Sequence, residues 1–223
     1  MYETVAEVRQ RLPNDTALIG FCGAPWTVAT YMVSGGKSAD QAEAVAWAAQ
    51  DPKGFGQLID RLVETSIEYL VGQVEAGADV LQIFDTWAGR LSGDEFSRWV
   101  CGPTSAIVRR MKELHPEVPI IGFPMGTGRN LPRYVDETGV DGVSCDTATP
   151  LALMQELAGK VVVQGNLDPL VLAAGGQNMQ RQAHKILAAL ENRPHIFNLG
   201  HGVLPHTPPE HVARLVKLVR ERK

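Results

Sequence analysis

His201 stands between Gly200 and Gly202 in the run Phe197-Asn198-Leu199-Gly200-His201-Gly202-Val203-Leu204-Pro205-His206. The apolar start of that run reads as the end of a strand. Thr207, two prolines and Glu210 open a helix after it. Glycine carries no Cβ, so a ligand can come close to the backbone on either side of the imidazole. The imidazole itself can donate to a carboxylate or carry a proton near neutral pH. The alternative is a surface loop whose histidine caps a neighbouring carbonyl. Asp85, Asp146 and Asp168 also follow apolar runs, and turn chemistry accounts for them equally well. Arg90, Arg129 and Lys37 lie in loops and read as solvated surface charge. His206 and His211 read as surface or helix-start residues. Cys22, Cys101 and Cys145 are an odd number and include no CxxC pair, which predicts reduced thiols. Cys22 and Cys145 close strand-like runs and read as buried small hydrophobes.

The elements that must position these groups alternate. After a first helix over residues 2–12, apolar runs over 17–22, 79–84, 119–123, 140–145, 161–165 and 195–197 read as strands. Helical patterns lie between them and close the chain over 208–220. The longest, over 52–76, carries Phe55, Leu58, Ile59, Leu62, Ile67, Leu70, Val71 and Val74 at helical spacing. Strands without polar alternation, each followed by a helix, predict a parallel sheet covered by helices. The polar and glycine-rich segments follow the strands, where (β/α) folds build their sites. Polar loop residues follow nearly every strand, and no GxGxxG or P-loop follows the first, which favours a barrel over an open sheet. A barrel of this class has eight strands, against six here.

Composition bounds the function. A hydrophobic share of 44% with 21% charged residues is that of a globular chain, predicting a single domain over 1–223. No apolar run approaches the ~20 residues of a membrane span, and no signal peptide is visible at the N-terminus. A formal charge of −4 argues against general nucleic-acid binding. With reduced cysteines, a cytoplasmic protein is expected.

Four segments together resemble the signatures of the uroporphyrinogen decarboxylase family. They are Gly20-Phe21-Cys22-Gly23-Ala24-Pro25-Trp26-Thr27 with Tyr31-Met32 and Gly35-Gly36, then Phe84-Asp85-Thr86-Trp87-Ala88-Gly89, then Gln164-Gly165-Asn166-Leu167-Asp168-Pro169, then Asn198-Leu199-Gly200-His201-Gly202. They occur in family order along the whole chain. The resemblance implies an α/β fold of the (β/α)8 TIM-barrel family, with about six of the eight βα units in this chain. It implies a carboxy-lyase of porphyrin and haem biosynthesis that works without a cofactor or metal, usually as a homodimer. The reaction it implies removes the four acetate carboxylates of uroporphyrinogen III to give coproporphyrinogen III. By position in the signatures, Tyr31, Thr86 and His201 match the family's substrate-binding tyrosine, serine or threonine, and histidine. The family's Arg-Gln-Ala-Gly-Arg motif and the aspartate that binds the pyrrole NH groups have no match here, so no catalytic residue is assigned. The same comparison predicts poor activity of this chain by itself, and open strand edges.

Two other functions are open. One is a non-catalytic truncated barrel that serves as a binding or dimerisation module. The other is a zinc-dependent corrinoid or thiol methyltransferase of the same superfamily. That chemistry needs a thiolate zinc site, and no cysteine lies two residues after any histidine.

Overall fold

The computed structural model describes residues 1–36 and 40–221; Lys37 lies outside them. The sequence predicts one domain over 1–223, and the packing divides the chain into two compact units, Met1–Asp141 and Gly142–Lys223.

The first unit runs α1 (Tyr2–Arg11), β1 (Ile19–Gly23), α2 (Pro25–Ser34), α3 (Ala42–Gln50), α4 (Pro52–Glu75), β2 (Val80–Asp85), α5 (Gly93–Phe96), α6 (Gly102–Leu114), β3 (Ile120–Pro124) and α7 (Leu131–Thr138). Its strands are parallel. Cys22 pairs with Ile83, and Ile83 with Gly122. Local chemistry sets the helix ends. Asp51 accepts from the Gly54 amide at 2.9 Å and Pro52 follows, which starts α4. Gly35 ends α2 in the left-handed region at φ 65°. Between the turn after β2 and β3 the helical stretch is α5, a π-helical turn at Ser97–Cys101, and α6.

An aromatic cluster fixes α2 over the sheet. Phe55 of α4, wholly buried, meets Trp26, Trp47 and Trp99 edge-on, at centroid distances of 5.9, 5.4 and 5.0 Å. Gln73, buried on α4, treats β1 as an edge strand. Its side chain accepts from the Phe21 amide and donates to the Phe21 carbonyl, both at 3.0 Å. The edge expected to stand open is thus satisfied at Phe21, which guards it against unwanted pairing.

The second unit runs β4 (Gly142–Ser144), α8 (Leu151–Leu157), β5 (Val162–Leu167), α9 (Pro169–Ala174), α10 (Gly176–Ala189), β6 (His195–Leu199) and α11 (Pro209–Arg220). Val143 pairs with Val163, and Val163 with His195, again in parallel. β4 is shorter than predicted. Asp141 is drawn off, its amide donating to the Ile120 carbonyl and its carboxylate accepting from the Ile120 amide. β5 is longer, because Asn166 and Leu167 keep pairing with Asn198 and Leu199. Among the described residues, no helix is long and apolar enough to cross a membrane.

Candidate active site

In the first unit, the turn after β2 is held by Thr27, Trp26 and Met125. The buried Thr27 hydroxyl donates to Asp85 Oδ1 at 2.5 Å and accepts from the Trp87 amide at 3.1 Å. The Trp26 indole donates to the Trp87 carbonyl at 3.0 Å. The Asp85 carbonyl accepts from the Met125 amide, and the Met125 carbonyl from the Gly89 amide, each at 3.0 Å. Gly89 is required by contact, because a Cβ there would lie 2.4 Å from the Gly126 carbonyl oxygen. Thr86 sits inside this turn, half-buried. Its hydroxyl has no partner among the described residues, and it caps no helix, since Trp87 holds the cap position of the next turn.

Tyr31 reaches the same turn from α2. Its ring meets Trp87 edge-on at 6.4 Å, and it is 39% exposed. It is therefore not a core aromatic, and its hydroxyl is unpartnered among the described residues. Tyr31 on α2 thus packs on Trp87, the chain neighbour of Thr86, in the turn beyond the C-terminal end of β2.

Asp85 is different from what its place in the sequence indicates. It is wholly buried, and Oδ2 has no hydrogen-bond partner among the described residues. Burial pushes its carboxyl up from 3.8 to about 7, although the Thr27 hydrogen bond pulls the other way. The indole NH of Trp87 is likewise buried without a partner among the described residues.

In the second unit, His201 lies on the exposed loop after β6. Its Nδ1 accepts from the Gly202 amide at 2.6 Å, so it caps no carbonyl. In the neutral ring that leaves the proton on Nε2, which becomes a donor. Gly200 lets the loop lie against the segment after β4. Its amide donates to the Leu167 carbonyl at 2.8 Å, and a Cβ on it would lie 2.3 Å from the Thr147 amide nitrogen. Asn166 supports that segment by donating to the Asp146 and Thr149 carbonyls, both at 2.8 Å.

The remaining polar residues do structural work. Asp146 accepts from the Ala148 amide and the Thr149 hydroxyl, and Asp168 caps α9 through the Leu170 amide. His211 lies at the start of α11 with Nδ1 3.1 Å from the Leu172 and Ala173 carbonyls. Arg90 donates to the Asp40 carbonyl, and Arg129 is exposed. All three cysteines are free and buried, and burial pushes each thiol up to about 12, so they are thiols at neutral pH. Among the described residues, no group of three or more His, Cys, Asp or Glu could hold a metal ion. The Asp85–Thr27 pair and the Asn166 brace escaped the sequence reading, although all three residues lie within the quoted signatures.

A family model described as uroporphyrinogen decarboxylase (URO-D) matches residues 1–222. The chain belongs to the uroporphyrinogen decarboxylase family. It is 51% identical over 221 residues to the curated uroporphyrinogen decarboxylases of Sphingopyxis alaskensis and Novosphingobium aromaticivorans, covering 99% of this chain and 65% of each of theirs. It is 51% identical to that of Rhizorhabdus wittichii, of which it spans 64%. Among solved structures, a methyltransferase from Methanosarcina mazei superposes with a TM-score of 0.84 at 23% identity, covering 99% of this chain and 63% of that one. A B12-independent methionine synthase from Shewanella sp. W3-18-1 superposes at 0.67 and 14% identity, with 99% and 66% covered. At those identities the likeness is one of fold. The fold class is α/β, of the (β/α)8-barrel family, with six βα units among the described residues.

Proposed function

We propose that this chain serves the decarboxylation of the four acetate side chains of uroporphyrinogen III to coproporphyrinogen III. The observation that carries the proposal is the 51% identity over 221 residues to curated uroporphyrinogen decarboxylases. In this reading, Tyr31 and Thr86 in the first unit and His201 in the second are the substrate-binding residues. The two unpartnered hydroxyls donate to substrate carboxylates, and the Nε2–H of His201 does the same.

The substrate supplies its own electron sink. Protonation of a pyrrole carbon makes the ring a cation. The C–C bond to the carboxylate then breaks, its electron pair passes into the ring, and CO2 leaves. A proton delivered to the exposed carbon completes the methyl group, and loss of the ring proton restores the pyrrole. Such a path needs an acid, charge stabilisation and carboxylate anchors. The chain's own residues named here provide anchors, and the acid is unassigned.

We infer a cytoplasmic protein, supported by three free thiols, and a homodimer, supported by the family resemblance. The test is anaerobic equilibrium dialysis of uroporphyrinogen III against wild type, Tyr31→Phe, Thr86→Val and His201→Ala. Each variant is expected to bind several-fold more weakly, because each loses a hydrogen bond to a charged group. Binding unchanged in all three would refute the assignment.

A further inference from the structure

Asp85 is buried, yet one carboxylate oxygen has no partner among the described residues and the other is spent on a single threonine. A carboxylate that served only to fill space would be costly at this position. Its geometry leads outward to the surface. Asp85 Oδ1 orients the Thr27 hydroxyl, whose lone pair then meets the Trp87 amide, and Thr86 lies between the two anchored residues. Thr27 cannot both donate to Asp85 and accept from Trp87 unless its single proton points at the carboxylate.

We propose that Asp85 is a positioning residue, which through the Thr27 hydroxyl fixes the turn presenting Thr86 and so sets the grip on the substrate's carboxylates. The proposal rests on the substrate reading above. The ionised carboxylate is the stronger acceptor, so the turn is held more firmly when Asp85 is charged, and its carboxyl titrates near neutrality. The titratable groups that feel this charge are Tyr134 of α7 and Cys101 of the π-helical turn, both pushed up mainly by their own burial.

The test has two arms. In the first, amide hydrogen exchange reads the protection of Trp87 in the free protein. Protection is expected to fall about tenfold in Thr27→Val and to be kept in Thr27→Ser, which retains the hydroxyl. In wild type, Trp87 protection, corrected for intrinsic exchange and taken relative to that of amides that open only in global unfolding, should rise with pH through neutrality, and in Asp85→Asn that rise should vanish. In the second arm, uroporphyrinogen III binding is measured on the same variants. The dissociation constant should rise about tenfold in Thr27→Val and return to the wild-type value in Thr27→Ser. Unchanged Trp87 protection in Thr27→Val overturns the positioning role, as does wild-type binding by that variant. Should wild type bind no uroporphyrinogen, the substrate reading fails, and the exchange arm still decides the clamp. Should Thr27→Val not fold, Asp85→Asn decides through the pH profile alone.

Discussion

Replacing Asp85 by asparagine removes one ionisable group from the core of the first unit and keeps its shape. Burial pushes the wild-type carboxyl from 3.8 to about 7. The folded chain therefore keeps a proton that the unfolded chain gives up, across the window from roughly pH 4 to pH 7. In that window the native state binds more protons than the unfolded state, so stability falls as pH rises and levels off above about 7. At 1.36 kcal/mol for each pH unit between the two values, the full loss is at most about 4 kcal/mol. Asparagine cannot ionise, so its stability lacks this slope. It keeps an oxygen for the Thr27 hydroxyl and places an NH2 where Oδ2 stands unpartnered. That donor costs about 1–3 kcal/mol at every pH. The expected outcome is a crossing. The variant is the less stable near pH 4.5 and gains on wild type by about 2–4 kcal/mol by pH 8. Urea unfolding midpoints and m-values, taken at intervals across that range, measure it. Parallel stability curves for the two proteins would show that Asp85 is not held neutral by burial.

Three further outcomes are expected. Phe55→Ala should destabilise the chain by about 3–5 kcal/mol in urea unfolding, because it empties the space among three tryptophans. A loss below about 1 kcal/mol would mean that the cluster does not fix α2. Gly200→Ala should cost about 1–3 kcal/mol and weaken uroporphyrinogen binding, since its Cβ would press on the Thr147 backbone; thermal unfolding and dialysis together check it. Uroporphyrinogen binding should also weaken as salt is raised, because carboxylate anchoring is electrostatic; an affinity that ignores ionic strength would rule that out.

Much of the fold could be read from residue order, because buried parallel strands carry long apolar runs and each is followed by a helix. The start of α4 was legible because its chemistry is local, the helix expected over 52–76 beginning at Pro52. What failed was whatever depended on distant partners. Asn166-Leu167 reads as lying beyond the strand over 161–165, yet it pairs with Asn198-Leu199 of β6. The strand predicted over 140–145 is cut short because Asp141 bonds Ile120, 21 residues away. α9 is six residues long, too short to show a helical stripe. For the site, the signatures marked Tyr31, Thr86 and His201, and each has an exposed or half-buried side chain beyond a strand end. The burial of Asp85 was illegible, because a strand with apolar residues on both faces has no alternation to show which way a terminal aspartate turns. Its partner Thr27 lies 58 residues away.

The most direct measurement is decarboxylation itself. Uroporphyrinogen III would be incubated anaerobically with this chain joined to the part of the Sphingopyxis alaskensis relative that it does not span, 65% of that protein being covered. Stepwise loss of four carboxylates, ending in coproporphyrinogen III, is the predicted result, and His201→Ala in the joined chain should slow it by about tenfold or more. Uroporphyrinogen returned unchanged by a joined chain that folds would contradict the proposed function.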